Sequence, residues 1–257
     1  MQENIKILNE HYQNAEPYKK NFRLLKDSDG SWYVRAITST THYNDYGIRF
    51  SLFVAALTFK SLIKNNNWQF IINRAEYDES HIKVYFEKAT TTFIKGIGIV
   101  KFIIEMSNDE VKREAMRFTA IYSIVTDDYE IYAKPQKLKT EIVSIQHNFT
   151  PATVFKNLAE MGDFIKNSEA EIMEDIKELQ KVKNPDQLRF KLYRKVEKAK
   201  SEDIKQKKTT ILNYLNTRIT TISELLSLMG KVDLLVSDLE TKEYLRYIFY
   251  DVLNKRK

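Results

Sequence analysis

The 257-residue chain has no cysteine. Disulfides and thiolate metal sites are therefore excluded, and a reducing compartment is the natural setting. Glycine (six) and proline (four) are scarce, which predicts few tight turns and long regular elements. The four histidines, His11, His42, His81 and His147, are scattered with no i, i+4 pair, so no histidine metal site is expected. Long hydrophobic runs are missing too. The longest apolar stretch, Phe50 to Ile63, is interrupted by Ser51, Thr58, Lys60 and Ser61, well short of a membrane span. The start, Met-Gln-Glu-Asn, is polar and lacks a hydrophobic signal region. A soluble cytoplasmic protein without a membrane partner is expected.

Phosphate loops are absent as well. Gly96-Ile-Gly98 is the one GxG, and no Gly-Lys-Ser/Thr follows anywhere, so no nucleotide-binding fingerprint exists in strict form and no cofactor is expected. The densest carboxylates outside the helices, Asp78-Glu79 and Asp127-Asp128-Tyr-Glu130, fall at expected hairpin turns, where Asp serves local hydrogen bonding. A two-metal nuclease would need carboxylates converging from different elements with a lysine nearby. Glu87-Lys88 lies near Asp78, but the spacing of acid, one residue, lysine is missing there. No catalytic constellation stands out, and a binding role is favoured over an enzyme.

Hydrophobic residues make up 43% and charged residues 30%, ordinary globular chemistry with enough apolar material for a core. Periodicity divides the chain. Residues 1–147 read as a mixed α/β domain with an antiparallel sheet. Phe22–Lys26 and Trp32–Ile37 flank the turn Asp27-Ser-Asp-Gly30; Gln69–Arg74 and Ile82–Glu87 flank Asp78-Glu-Ser80. Ile97–Met106 and Arg117–Val125 are rich in β-branched and aromatic residues and form a further pair, with Tyr129–Tyr132 as a short extra strand. Asp45–Lys64 reads as a helix whose apolar positions cover most of its circumference, which predicts burial against a sheet.

Residues 148–257 read as an all-helical region, opening at Thr150-Pro151. Ile172, Ile176, Leu179 and Val182 form an amphipathic stripe, Pro185 opens a new helix, and Gly230 and Ser237-Asp238 punctuate the last two. Ile204, Ile211, Leu215, Ile219, Ile222 and Leu226 make a heptad-like seam that favours a partner helix, hence a homo-oligomer. The fold class expected is α+β.

The most informative stretch is Lys181 to Lys208. Eleven Lys/Arg stand there against Asp186, Glu197, Glu202 and Asp203, a local charge of +7 in a chain of +6. Arg189, Lys191, Arg194, Lys195, Lys198, Lys205, Lys207 and Lys208 are the candidate nucleic-acid-binding residues, since a cationic face lies well along phosphates. Phe190 and Tyr193 add stacking if exposed. Strand tyrosines beside Lys83, Lys101 or Arg117 offer a similar surface on the sheet, or are simply half-buried strand residues. An internal partner for the block stands directly upstream: Glu169, Glu171, Glu174, Asp175 and Glu178 would neutralise it if the two helices pair antiparallel.

One segment resembles a known family. Ile94-Lys-Gly96 followed by Ile103-Ile-Glu-Met-Ser-Asn-Asp-Glu-Val111 is similar to the phage/plasmid-like proteins of unknown function found in prophages and mobile elements. Ser107, Asn108, Glu110 and Val111 match that family's signature, whereas Asp109 replaces a second serine and Lys112 a glycine. The order of strands then helices also agrees. The resemblance implies a phage or mobile-element setting in a host cell and no particular chemistry. On residue type alone, Ser107 to Glu110 would serve equally as a helix N-cap.

Three functions follow as expectations. The first is a phage DNA-binding protein, of the single-stranded DNA binding or annealing kind used in recombination, working without ATP hydrolysis. The second is a phage-encoded interaction or assembly protein, a virion component or inhibitor of host defence, oligomerising through its C-terminal helices. The third is a metal-dependent nuclease.

Overall fold

A computed structural model of the chain describes residues 20–26, 29–39, 48–66, 68–78, 81–109, 116–135, 141–145, 152–153, 156, 158 and 161–254. It is an α+β protein. Among the described residues the strands are β1 (Lys20–Lys26), β2 (Trp32–Ser39), β3 (Phe70–Asp78), β4 (His81–Ile94), β5 (Gly98–Asp109), β6 (Met116–Val125), β7 (Glu130–Ala133) and β8 (Glu141–Ile145). The helices are α1 (Ile48–Asn66), α2 (Met161–Leu179), α3 (Pro185–Glu197), α4 (Glu202–Leu215), α5 (Ile222–Leu235) and α6 (Leu239–Leu253).

β1 and β2 form a separate antiparallel hairpin, as the alternation around Gly30 predicts; Gly30 takes the left-handed φ of 86°. The main sheet runs β3-β4-β5-β6-β7, with β8 on the other half of β6, every pairing antiparallel. Gly96-Ile-Gly98 is the β4–β5 turn. Both glycines have positive φ, and a Cβ on Gly98 would lie 2.3 Å from the Val125 carbonyl oxygen. Backbone geometry, not phosphate binding, accounts for this pair.

Alternation splits the sheet into two faces. Val84, Phe86, Val100, Phe102, Ile104, Met106, Phe118, Ala120, Tyr122 and Ile124 point to the front. That face is continuous with the apolar faces of α1 and of α2 to α6, so one hydrophobic core runs through both parts of the chain. Phe59 of α1 stacks on Phe86 with ring centroids 4.1 Å apart. Among the described residues of α1, Val54, Ala55, Phe59 and Leu62 are buried, while Leu52, Phe53, Leu57 and Ile63 are exposed.

The heptad-like seam does not belong to one helix. α4 ends at Leu215 and α5 begins at Ile222. All six seam residues are buried in the chain's own core. Gly230, expected at a boundary, lies inside α5 because the Tyr129 ring packs there: an added Cβ would be 2.3 Å from Tyr129 Cγ. Thr221 opens α5 with a full capping box to Glu224, and Asp238 caps α6 through the Thr241 amide. Ser107, Asn108 and Asp109 continue β5 and are buried, paired with Lys83, Ile82 and His81, so they do not cap a helix. The helix start at Thr150-Pro151, the turn residues Asp27, Ser28, Glu79 and Ser80, and Glu110 to Lys112 lie outside the described residues. Among the described residues, no helix is long and apolar enough to cross a membrane.

Candidate functional site

The basic block occupies α3 and α4. Leu188, Leu192 and Val196 bury one face of α3, leaving the cations on its flanks and outer side. Arg189 is drawn inward. It forks onto Asp186 at 2.6 and 3.1 Å and donates to the Leu215 carbonyl at the end of α4. The Arg189 hydrogen bond, with one from the Ile219 amide, holds the half-buried Asp186 carboxyl down at about 2. Lys191 and Lys195 converge on Asp251 of α6. Arg194 faces Glu197 at 3.9 Å, Lys205 pairs with Glu202 at 3.2 Å and Lys207 with Asp203 at 2.8 Å. Lys198 and Lys208 make no ion pair among the described residues, and neither do Lys183 and Lys200.

The acidic run goes largely elsewhere. α2 packs on β6 and β8. Its Glu169 pairs with Lys88 of β4 at 2.6 Å, Asp175 accepts from Asn254, and Glu178 meets Lys181 at the start of the block. Pairing within the block leaves its net charge unchanged, because those acids already count. The outside carboxylates paired with the block, Glu178 and Asp251, bring its charge to +5, and Asp238 and Glu240, which line the cleft beside Lys198 and Lys200, bring it to +3. Exposed pairs of this kind are worth only about 0–1 kcal/mol each, so a polyanion can displace them.

Phe190 and Tyr193 lie on α3 beside these cations. Phe190 is 54% exposed. Its ring is parallel to Tyr193 within 2°, with centroids 6.4 Å apart, and the Arg194 guanidinium sits 5.7 Å from its centroid. A cleft of about 710 Å³ opens where the starts of α4 and α6 meet, with Lys198, Lys200, Thr241 and Tyr244 among its walls. Glu202, Asp203, Asp238 and Glu240 also line it, so it carries no net attraction for anions.

The back of the sheet holds a second cluster that sequence reasoning missed. Tyr85, Ile103, Ile121 and Tyr132 form a small buried patch there. Arg246 of α6 reaches over it, only 2% exposed. It donates to Glu76 at 3.0 Å and to the Tyr85 hydroxyl, and lies over the Tyr85 and Tyr132 rings at 5.4 and 5.3 Å. Lys134 bridges Glu105, at 2.6 Å, and Glu243, and Lys83 reaches Glu243 at 2.7 Å. Burial opposes the charges of Lys134, Glu243 and Glu76, but the opposite charges outweigh it. Glu105 and Glu243 hold Lys134 well above the usual lysine range, Lys134 and Lys83 hold Glu243 far below the usual carboxylate range, and Arg246 keeps Glu76 low. Lys101 pairs with Glu87 and Glu130, both at 3.3 Å.

Lysines 83 and 101 and tyrosines 85 and 132 are thus components of a neutralised internal network, not a sheet surface for nucleic acid. The signal was present as alternation of Lys83, Tyr85, Glu87 and of Lys101, Ile103, Glu105 along neighbouring strands. Mixed sign on one buried face marks internal pairing, whereas a nucleic-acid face needs one sign. Among the described residues, no group of three or more His, Asp or Glu side chains could hold a metal ion. Comparison with known proteins finds no match: no family model, no curated protein and no solved structure is similar to this chain.

Proposed function

We propose that this chain is a nucleic-acid-binding protein of a phage or mobile element, acting as a homo-oligomer in the host cytoplasm without nucleotide hydrolysis. The observation that carries the reading is the charge of α3 and α4. Counting Glu178, Asp251, Asp238 and Glu240 against it, the block from Lys181 to Lys208 still carries a net +3. Lys198 and Lys208 engage phosphates directly, with Arg194, Lys195, Lys205 and Lys207 recruited by exchanging their carboxylates for phosphate and Lys191 by leaving the Asp251 carbonyl. Arg189 acts behind them, fixing α3 to the end of α4. The phage setting rests on the resemblance around Ser107 to Val111. Fluorescence anisotropy with labelled 20-mer oligonucleotides between 50 and 300 mM NaCl tests the reading. Four to six phosphate contacts give a log–log salt slope of roughly −3 to −5. Asp251→Asn, which releases Lys195 while Lys191 stays on the Asp251 main-chain carbonyl, tightens binding. A flat salt response, or no binding at 50 mM, refutes the proposal.

A different observation favours the interaction reading. Leu52, Phe53, Leu57 and Ile63 place an apolar stripe on the outer face of α1, with Phe53 55% exposed. A stripe of that size on a helix is a common mark of a protein contact. Phe53→Lys would then abolish self-association seen by sedimentation while leaving oligonucleotide binding unchanged. Association through the Ile204 to Leu226 seam would instead require the core to open.

A further inference from the structure

We infer that Phe190 is a stacking platform for an unpaired base, so that the ligand of the α3 face is single-stranded nucleic acid. The inference rests on the nucleic-acid reading above and identifies the strand state and the base-contacting residue. A phenylalanine with more than half its surface in water contributes little to folding, and this one is held in place rather than loose. Tyr193, one turn along, packs against the core and lies parallel to it. At a centroid separation of 6.4 Å the two rings cannot cover each other's faces. Arg194 occupies one side of the ring, 5.7 Å from its centre.

What remains is a ring more than half exposed, with a guanidinium over it, on a well-formed helix. Lys198, a further turn along, makes no ion pair among the described residues. Phe190, Arg194 and Lys198 follow at i, i+4 and i+8, one line about 12 Å long. Lys198 has no ion pair among the described residues, and the exposed Arg194–Glu197 pair at 3.9 Å is weak enough for a phosphate to displace, so the line suits a polyanion. The ring selects among polyanions: bases inside a duplex have their faces covered by neighbours, so only an unpaired base gains from it.

The test uses the full-length protein, a labelled dT20 strand, an abasic strand of the same length and a 20-base-pair duplex. Wild type binds dT20 more tightly than the duplex or the abasic strand. Phe190→Ala weakens dT20 binding about 5- to 150-fold, leaves the abasic strand and the duplex unchanged, and keeps the salt slope. Phe190→Trp retains wild-type affinity for dT20. Circular dichroism of both variants matches wild type, because the side chain lies outside the core. If Phe190→Ala binds dT20 as wild type does, or loses affinity equally for all three probes, stacking is overturned while the charge-based reading stands. If wild type binds none of the probes at 50 mM salt, both fall.

Discussion

Arg246→Met is the sharpest perturbation of this fold. Methionine keeps most of the side chain's length, so the contacts over Tyr85 and Tyr132 are largely preserved and the guanidinium alone is lost. Its removal takes the hydrogen bonds to Glu76 and Tyr85 and leaves Glu105 with Lys134 as its remaining charge partner. Breaking a buried pair from one side costs about 3–5 kcal/mol, because the carboxylate left behind stays desolvated. Here Glu76 retains Arg74 at 2.7 Å, and Arg74 is partly open to water. The lower end, about 3 kcal/mol, is therefore expected. For a chain of this size that lowers Tm by roughly 6–12 °C. Urea unfolding followed by circular dichroism measures it, with an unchanged m-value showing that the folded state stays compact. Combining Arg246→Met with Glu76→Gln removes the stranded charge and recovers about half the loss. A destabilisation below about 1 kcal/mol, or a double variant that merely sums the two single effects, would refute the view that this network clamps α6 to the sheet.

The same network sets the acid limit. Glu243 and Glu76 have folded pKa values below the ordinary 4.5, so their stabilisation is complete above that pH and is lost as pH falls through the lower folded values. The urea midpoint should stay level from pH 8 to about 5 and drop below 4.5, and a level midpoint down to pH 3 would contradict the assignment. On the alkaline side Tyr132, pushed up to about 12 by burial, stabilises below pH 10 and loses that contribution as pH rises toward 12. Gly230→Ala drives a methyl group into Tyr129 and should cost about 1–3 kcal/mol, with Tyr129→Ala restoring much of it if the clash is the cause.

Much of the fold was legible from alternation and turn residues. Both early hairpins, the β5–β6 pair, the strand after Asp127-Asp128 and the helix from Pro185 form where period-2 or helical spacing places them. These are local properties, since a side chain's face follows from its position along one element. Gly230 shows the limit: a glycine reads as a helix boundary until the ring that requires it is known. The Ser107 to Asp109 segment shows it too, because cross-strand pairing with β4 overrides the capping preference of the residues themselves. The seam from Ile204 to Leu226 was legible as apolar, but which surface it would meet was not.

Sequence by itself determined most of the elements, though not β8, together with the apolar faces and the basic stretch at 181–208, because periodicity and charge are carried by neighbours along the chain. Tertiary structure alone decided which charges meet. Arg246 and Glu76 are 170 residues apart, and the acidic run of α2 turns to Lys88 and the sheet because α2 packs on β6 and β8. An ion pair forms where packing brings two groups within about 4 Å, and no spacing in the sequence encodes that distance.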